Sequence, residues 1–572
     1  MTVFSAGKFA IATCALMLAT AAQAKDRDVS DLFDPAILTR EICGADATMP
    51  REDYTQLAAL PADTATRAPL WPGLGNWTFK ISTRKREAQA YFDQGLRLSY
   101  GFNHGEAARS FRAAQEIDPT CAMCYWGEAL VLGPNINERM TDEGNVAALK
   151  AIRKAQALTH HAPAKERAFI AALAARYATG KVEDRAKLDS AYADAMAKVS
   201  KNYPDDMDVA TLYAEAAMDA SPRPWWSKDG ATPMGRSGDV VATIEKVLAK
   251  RPDHPGAVHF YIHIMEQTAT PEKAAPYADT LAGLMPAAGH MIHMPSHTYF
   301  RIGRYKDAVA SNVAAVQADE ALLKDLPTAT DRYRFGYYPH NVDMAMASAE
   351  MAGEPAIALD MSRRLLAQVV PGRFRDEQYT AKSIVAHVRF DTPQDILALP
   401  RPADGMPFAV GMWHYARASA FAWQKNFDAA RAERDALTAL RKDKAKTKVL
   451  EVADNMIAAR VALAQNDIAT AQKALEAAIA VGDKEGYWRG DPPAWHYPIR
   501  QALGIVLLQN GRAAEAIPVL RQALIDTPNN GWVLFALQKA AAMTGDSLGA
   551  AQYGKLFANA WSGSKPPDLS RI

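Results

Sequence analysis

The sequence predicts an all-α fold, an α-solenoid of stacked helix-turn-helix units, and three observations predict it. A spaced template recurs. Gly95, Ala107, Phe111, Ala114 and Pro119 are matched by Gly504, Ala516, Leu520, Ala523 and Pro528, at 12, 16, 19 and 24 residues after the glycine in both segments. Closing prolines recur too, and Pro252 and Pro286 stand 34 residues apart. No sustained two-residue alternation of apolar and polar positions marks a strand. The template has a direct physical reading. The glycine lets two antiparallel helices approach closely, the alanines of the second helix complete the contact, and the proline cannot continue the helix before it.

From the N-terminus, residues 1–24 read as a secretory signal, with Lys8 as the positive region, an apolar run from Phe9 to Ala22, and Ala22-Gln23-Ala24 as a small-x-small cleavage site. The run is shorter than the ~20 residues a membrane span needs, and no later stretch is long and apolar enough. The expected location is therefore the periplasm. Residues 25–85 are Pro-rich and read as an N-terminal arm covering the first repeat. Residues 86–388 form an N-terminal lobe of repeats, with Pro204, Pro252 and Pro286 each closing one unit. Insertions interrupt the count at 221–237, which carries Trp225 and Trp226, and at 318–339. Residues 389–410 hold four prolines and read as a break between lobes. A C-terminal lobe spans 411–561, and 562–572 read as a flexible tail.

This template resembles the tetratricopeptide repeat (TPR) family, whose unit is a 34-residue helix-turn-helix. The resemblance covers most of residues 85–560 and implies about ten to thirteen repeats in a right-handed superhelix. Gly303-Arg-Tyr-Lys-Asp-Ala308 and Gly511-Arg-Ala-Ala-Glu-Ala516 match as inter-helix turns.

Composition bounds the function. Over 572 residues, 65 basic side chains face 64 acidic ones, a formal net charge of +1. Such balance carries no electrostatic footprint for nucleic acid. Export implies an oxidising compartment. Cys43, Cys121 and Cys124 remain after signal removal, and the expectation is one disulfide, either within the Cys121/Cys124 pair or to Cys43.

Histidine placement carries the functional reading. Seven of the 13 histidines fall between residues 254 and 340. His259 and His263 lie 7 and 11 residues after Pro252, and His293 and His297 lie 7 and 11 after Pro286. Residues four apart share one helix face. His290 shares the face of His293. His340 lies 13 residues before Gly353, as His290 lies 13 before Gly303, so it takes the same place one repeat on. His254 is off the stripe and reads as a turn cap. Glu266 follows His263 by three residues, and Glu215 lies 11 after Pro204, the place of His263 and His297. The TPR resemblance implies that these first-helix places face the concave groove. Pro295, inside His293-Met-Pro-Ser-His297, is expected to kink its helix.

Neutral imidazoles and carboxylates suit borderline transition metals rather than Ca²⁺ or Mg²⁺. The expected site therefore holds one or two Zn or Cu ions on His259, His263, His290, His293, His297 and His340. Glu266 or Glu215 is a ligand or general base, and Trp225 and Trp226 form a lid or stacking wall. Zinc implies hydrolysis and copper oxidation. The His-Glu-x-x-His protease signature is absent, as are Gly-rich phosphate loops. The alternative is a scaffold that holds a small molecule, peptide or protein partner in the groove without metal.

Overall fold

In the computed structural model the described residues are 67–571, apart from 181, 183, 326–332, 370–374, 444–446, 487–489, 491 and 496. The signal segment, Cys43, most of the arm and His496 lie outside them. The fold is all-α, a TPR-type solenoid with twelve helical hairpins among the described residues. In the first half, α1 (Arg86–Tyr100) pairs with α2 (His104–Ile117), α3 (Ala122–Leu132) with α4 (Asp142–Ala157), α5 (Ala164–Ala174) with α6 (Arg185–Asn202), and α7 (Met207–Asp219) with α8 (Ser237–Lys250). The middle hairpins are α9 (Pro255–Met265) with α10 (Ala275–Leu284), the broken helix α11 (Gly289–His293) plus α12 (Pro295–Arg301) with α13 (Tyr305–Asp325), and α14 (Tyr338–Ala352) with α15 (Pro355–Ala367). The last five are α16 (Asp376–Phe390) with α17 (Pro393–Leu397), α18 (Pro407–Trp423) with α19 (Phe427–Asp443), α20 (Lys448–Ala464) with α21 (Ile468–Glu485), α22 (Ile499–Gln509) with α23 (Ala513–Asp526), and α24 (Gly531–Met543) with α25 (Ser547–Ala560).

The recurring template explains the hairpins. A Cβ on Gly95 would stand 2.8 Å from the Phe111 ring, and one on Gly504 would stand 2.5 Å from the Leu520 side chain. Only glycine allows helices this close. Asp206 and Asp467 cap the starts of α7 and α21 by accepting from the backbone N–H groups of Val209 and Thr470. Gly303 and Gly511 turn the chain at φ 76° and 75°. Asn466 and Asn529 take similar places at positive φ, as short polar residues tolerate.

Two long-range closures bring distant hairpins together. The turn after α1 folds back onto α9, where a Cβ on Gly256 would meet the Tyr100 ring at 2.6 Å. At the other end, Gly303 abuts the Pro528 carbonyl, and the Trp532 indole donates to the Glu350 carbonyl at 3.1 Å. The arm from residue 67 onward runs along α1. Trp71 N–H donates to Gln94, Phe79 N–H to Asp93 and Ile81 N–H to Gln89.

Three boundaries differ from the sequence reading. Segment 389–410 does not separate the helices around it, because α16 packs directly on α18. Its prolines start helices rather than break the array: Pro393 and Pro407 each open a helix, where a missing N–H costs nothing. Residues 318–325 of the second insertion continue α13, and a π-helical turn at Tyr333–Tyr337 leads into α14. The tail, expected to be flexible, is held against the ends of α14, α16 and α18. Trp561 packs on Gly353 and Gly531, Ser562 N–H donates to the Ala352 carbonyl, and Arg571 donates to the Asp391 carbonyl while stacking on Trp423.

Candidate metal centre

The six histidines come from three consecutive first helices, α9, α11–α12 and α14. None is more than 1% exposed. The expected open groove is instead closed here, because the turn after α1 lies across it. The rings divide into two triads. His259, His263 and His290 form one; His293, His297 and His340 form the other. Within each triad one nitrogen per ring lies within 4.8 Å of the others.

The spacing suits a metal ion. An ion bonded at about 2.0–2.1 Å to a ring nitrogen lies about 3.2 Å from that ring's centroid. In the first triad the centroids are 4.8, 5.0 and 6.3 Å apart, so the circle through them has a radius of about 3.2 Å. In the second they are 4.7, 4.8 and 5.7 Å apart, a radius of about 3.0 Å, close to the same value. The triads adjoin, with His263 6.2 Å from His297 and His290 5.8 Å from His293, centroid to centroid.

Their surroundings differ. The first triad sits under an apolar cap. Phe102 lies 4.5 Å from His259 and stacks on His263 and His290 at 5.8 and 5.6 Å. His259 Nδ1–H donates to the Tyr100 carbonyl at 2.5 Å, which leaves the lone pair on Nε2. His259 Nε2 and both ring nitrogens of His263 and of His290 have no hydrogen-bond partner in the protein. A buried polar atom left in that state costs about 1–3 kcal/mol. An ion bound by one nitrogen of each ring would account for three of the five.

The second triad is polar. The Asn312 amide donates to the Ala308 carbonyl at 2.8 Å, so its oxygen faces His293 Nδ1 at 2.6 Å. That bond puts the proton of His293 on Nδ1 and the lone pair on Nε2. His297 Nδ1 stands 3.4 Å from a Glu266 carboxylate oxygen, near it but not hydrogen-bonded to that oxygen. The two Nε2 atoms point at each other across 2.8 Å. With the His293 lone pair on Nε2, a neutral His297 donates its Nε2–H across that distance, and a metal ion on either nitrogen would take the place of this bond. His340 Nε2 is buried without a hydrogen-bond partner in the protein.

Desolvation keeps four of the rings neutral. It pushes the His259 imidazole down to about 3 and holds His263, His290 and His340 well below the usual histidine range, with neighbouring imidazoles adding to the effect. Neutral imidazole is the form that binds metals.

Pro295 breaks the helix as its chemistry demands, ending α11 and opening α12. It has no N–H for the carbonyl four residues back. The Ser311 hydroxyl takes the nearby Ile292 carbonyl, and His297 N–H bonds back only three residues to Met294. Glu266 ends up beside His297 of the second triad rather than with His263 of its own neighbourhood. Glu215 occupies the matching place on α7, but the charges that act on it are Asp219 and Arg176, and desolvation raises its carboxyl to about 8. Trp225 is buried and donates to the Ser221 carbonyl. The half-buried Trp226 donates to the Ile264 carbonyl at 2.7 Å, so it latches the insertion to α9. His254 caps α9, accepting from Ala257 N–H. Cys121 and Cys124 are joined to each other, at the start of α3.

Sequence reasoning missed Phe102, Tyr100 and Asn312. Phe102 left one signal, a large aromatic between Gly101 and Asn103 in an inter-helix turn. Asn312 left none, because its place on a second helix is read as packing.

No family model and no curated protein sequence matches the chain. Among solved structures it is similar to Naa15/Naa10 bound to HypK-THB, at 12% identity over 83% of this chain and 70% of that one, with a TM-score of 0.22. It is similar also to the TPR domain of P58(IPK), at 12% identity over 80% and 99%, TM-score 0.22, and to human IFIT1 in a dimer with m7Gppp-AAAA, at 13% over 77% and 90%, TM-score 0.28. Likenesses this distant say nothing of a ligand. Among the described residues, no helix is long and apolar enough to cross a membrane.

Proposed function

We propose that this chain binds transition-metal ions, one in each histidine triad, and that the pair of ions is its reactive centre. The observation that carries the reading is the pairing of two buried three-histidine clusters, each with its ligand atoms within 4.8 Å of one another. Three neutral imidazoles leave a fourth position open, the arrangement of catalytic rather than structural zinc. Imidazole-only sets suit copper equally. Zinc would supply a bound hydroxide for hydrolysis and copper would supply oxidation. Glu266, with a carboxylate oxygen 3.4 Å from His297 Nδ1, stands ready as a general base beside the second triad. Glu215 is left with a positioning role toward the wall of α7. The secretory signal puts this chemistry in the periplasm. The burial of every ring favours a small molecule over a peptide as the species that reaches them.

The test is elemental analysis of tag-free protein purified without chelator. Two equivalents of Zn or Cu are expected. Absence of both metals, before and after soaking with either, would leave a scaffold without metal chemistry.

A further inference from the structure

A cavity of about 360 Å³ opens beside the first triad. Its wall is mostly apolar, with Leu74, Leu98, Ala288 and Leu322, and its polar groups are Asn103, Tyr333 and the buried Glu106, which is paired with Arg109. The mouth lies by half-buried Trp71 and exposed Pro72. The volume sits at the small end of the range for ligand pockets, about 300–1,000 Å³.

Only one residue's thickness separates this space from the histidines. Gly101 and Asn103 face the cavity. Phe102, between them, turns its ring onto His259, His263 and His290. On the opposite wall Ala288 lines the cavity, and His290 follows two residues later. Phe102 holds φ at 55°, the turn place that Lys425, Asn466, Gly303 and Gly511 take at positive φ in other hairpins, and here that place carries a large aromatic ring.

We propose that the cavity is the substrate chamber of the first metal site, that it takes a small, mainly apolar molecule bearing one oxygen, on the scale of a phenol, and that Phe102 is the partition the molecule passes to reach the ion. The inference rests on the metal reading above. The apolar wall selects the body of the molecule, and the open fourth position of a three-histidine ion receives its oxygen.

Co²⁺-loaded protein tests it, with phenol and benzene as probes. Phenol should bind one-to-one by calorimetry and shift the visible Co²⁺ bands, while benzene should bind without the shift. Ala318→Trp, which fills the chamber from α13, should weaken phenol binding at least tenfold and remove the shift, with Co²⁺ content unchanged. Ala321→Trp, on the same wall at an exposed place, repeats the test at less risk to folding. Phe102→Gly, which suits the positive φ, should speed the band shift severalfold. The inference is overturned if Co²⁺-loaded wild type binds neither probe saturably, or if phenol shifts the bands equally well in both filled variants. Loss of Co²⁺ from the wild type would instead overturn the metal reading, and metal analysis of the same samples tells the two failures apart.

Discussion

The two triads begin from one sequence device and end in different chemistry. Each uses a His-x-x-x-His pair at the same distance from a closing proline, plus one histidine from the next first helix. The first is roofed by Phe102 and leaves five ring nitrogens without hydrogen-bond partners in the protein. The second is braced by Asn312 and Glu266 and brings two Nε2 atoms within 2.8 Å. Register alone sets the imidazoles. What surrounds them comes from the turn after α1 for one triad and from α13 and the end of α9 for the other. Repeats thus make similar ligand sets cheaply, and long-range packing makes them different.

The largest expected effect breaks the pair in half. His263→Ala should lower metal content from two equivalents to one, and His340→Ala should do the same at the other triad. The double variant should hold none. Helix content by circular dichroism should stay near that of the wild type in all three. Loss of both ions from either single variant would mean the six rings hold one shared site.

A smaller effect separates the two environments. Asn312→Ala removes the oxygen that orients His293, and such supporting bonds are worth about 10–100-fold in metal affinity. Competition with a chelator should show that loss at one ion only. Equal weakening of both ions would contradict separate support for the triads.

Next comes a pH effect beside the second triad's neighbour, Asn341. Asp319 is buried, accepts from Tyr333 and Asn341, and desolvation raises its carboxyl from 3.8 to about 7. The folded state therefore keeps a proton that the unfolded state releases between about pH 4 and 7. Its contribution to stability is full below that window and is lost as pH rises through it, by about 1.4 kcal/mol per pH unit at most. Asp319→Asn should flatten the urea-unfolding free energy by that slope over the window. An unchanged slope would show that Asp319 titrates normally.

The smallest concerns the insertion. Trp226→Phe deletes the indole bond to the Ile264 carbonyl and should cost about 1 kcal/mol of stability, with both ions retained. Metal loss in this variant would make the latch part of the site.

Much of the fold was legible because repeats encode it locally. The Gly95 and Gly504 templates, the glycine turns at 303 and 511 and the kink at Pro295 all act between residues within one hairpin. The clustering of the six histidines was legible for the same reason, as a stripe on successive first helices. What escaped was set by contacts across the superhelix. His259 meets the Tyr100 carbonyl from a helix some 160 residues away in the chain, and no periodicity reports such an encounter. For that reason an open groove was expected where Phe102 closes it. Glu266 was assigned to its own helix's pair, yet the side chain reaches His297 of the next hairpin. The prolines of 389–410 misled in another way, since proline at a first helical position starts a helix as readily as proline elsewhere ends one. The tail escaped for the same reason as Phe102, since Ser562 and Arg571 meet carbonyls at Ala352 and Asp391 from some 180–210 residues away in the chain.

Anomalous diffraction from crystals grown with zinc or copper tests the central claim most directly. Two peaks are predicted, one within bonding distance of His259, His263 and His290 and the other of His293, His297 and His340. A single peak shared between the triads, or none near either, would contradict the account.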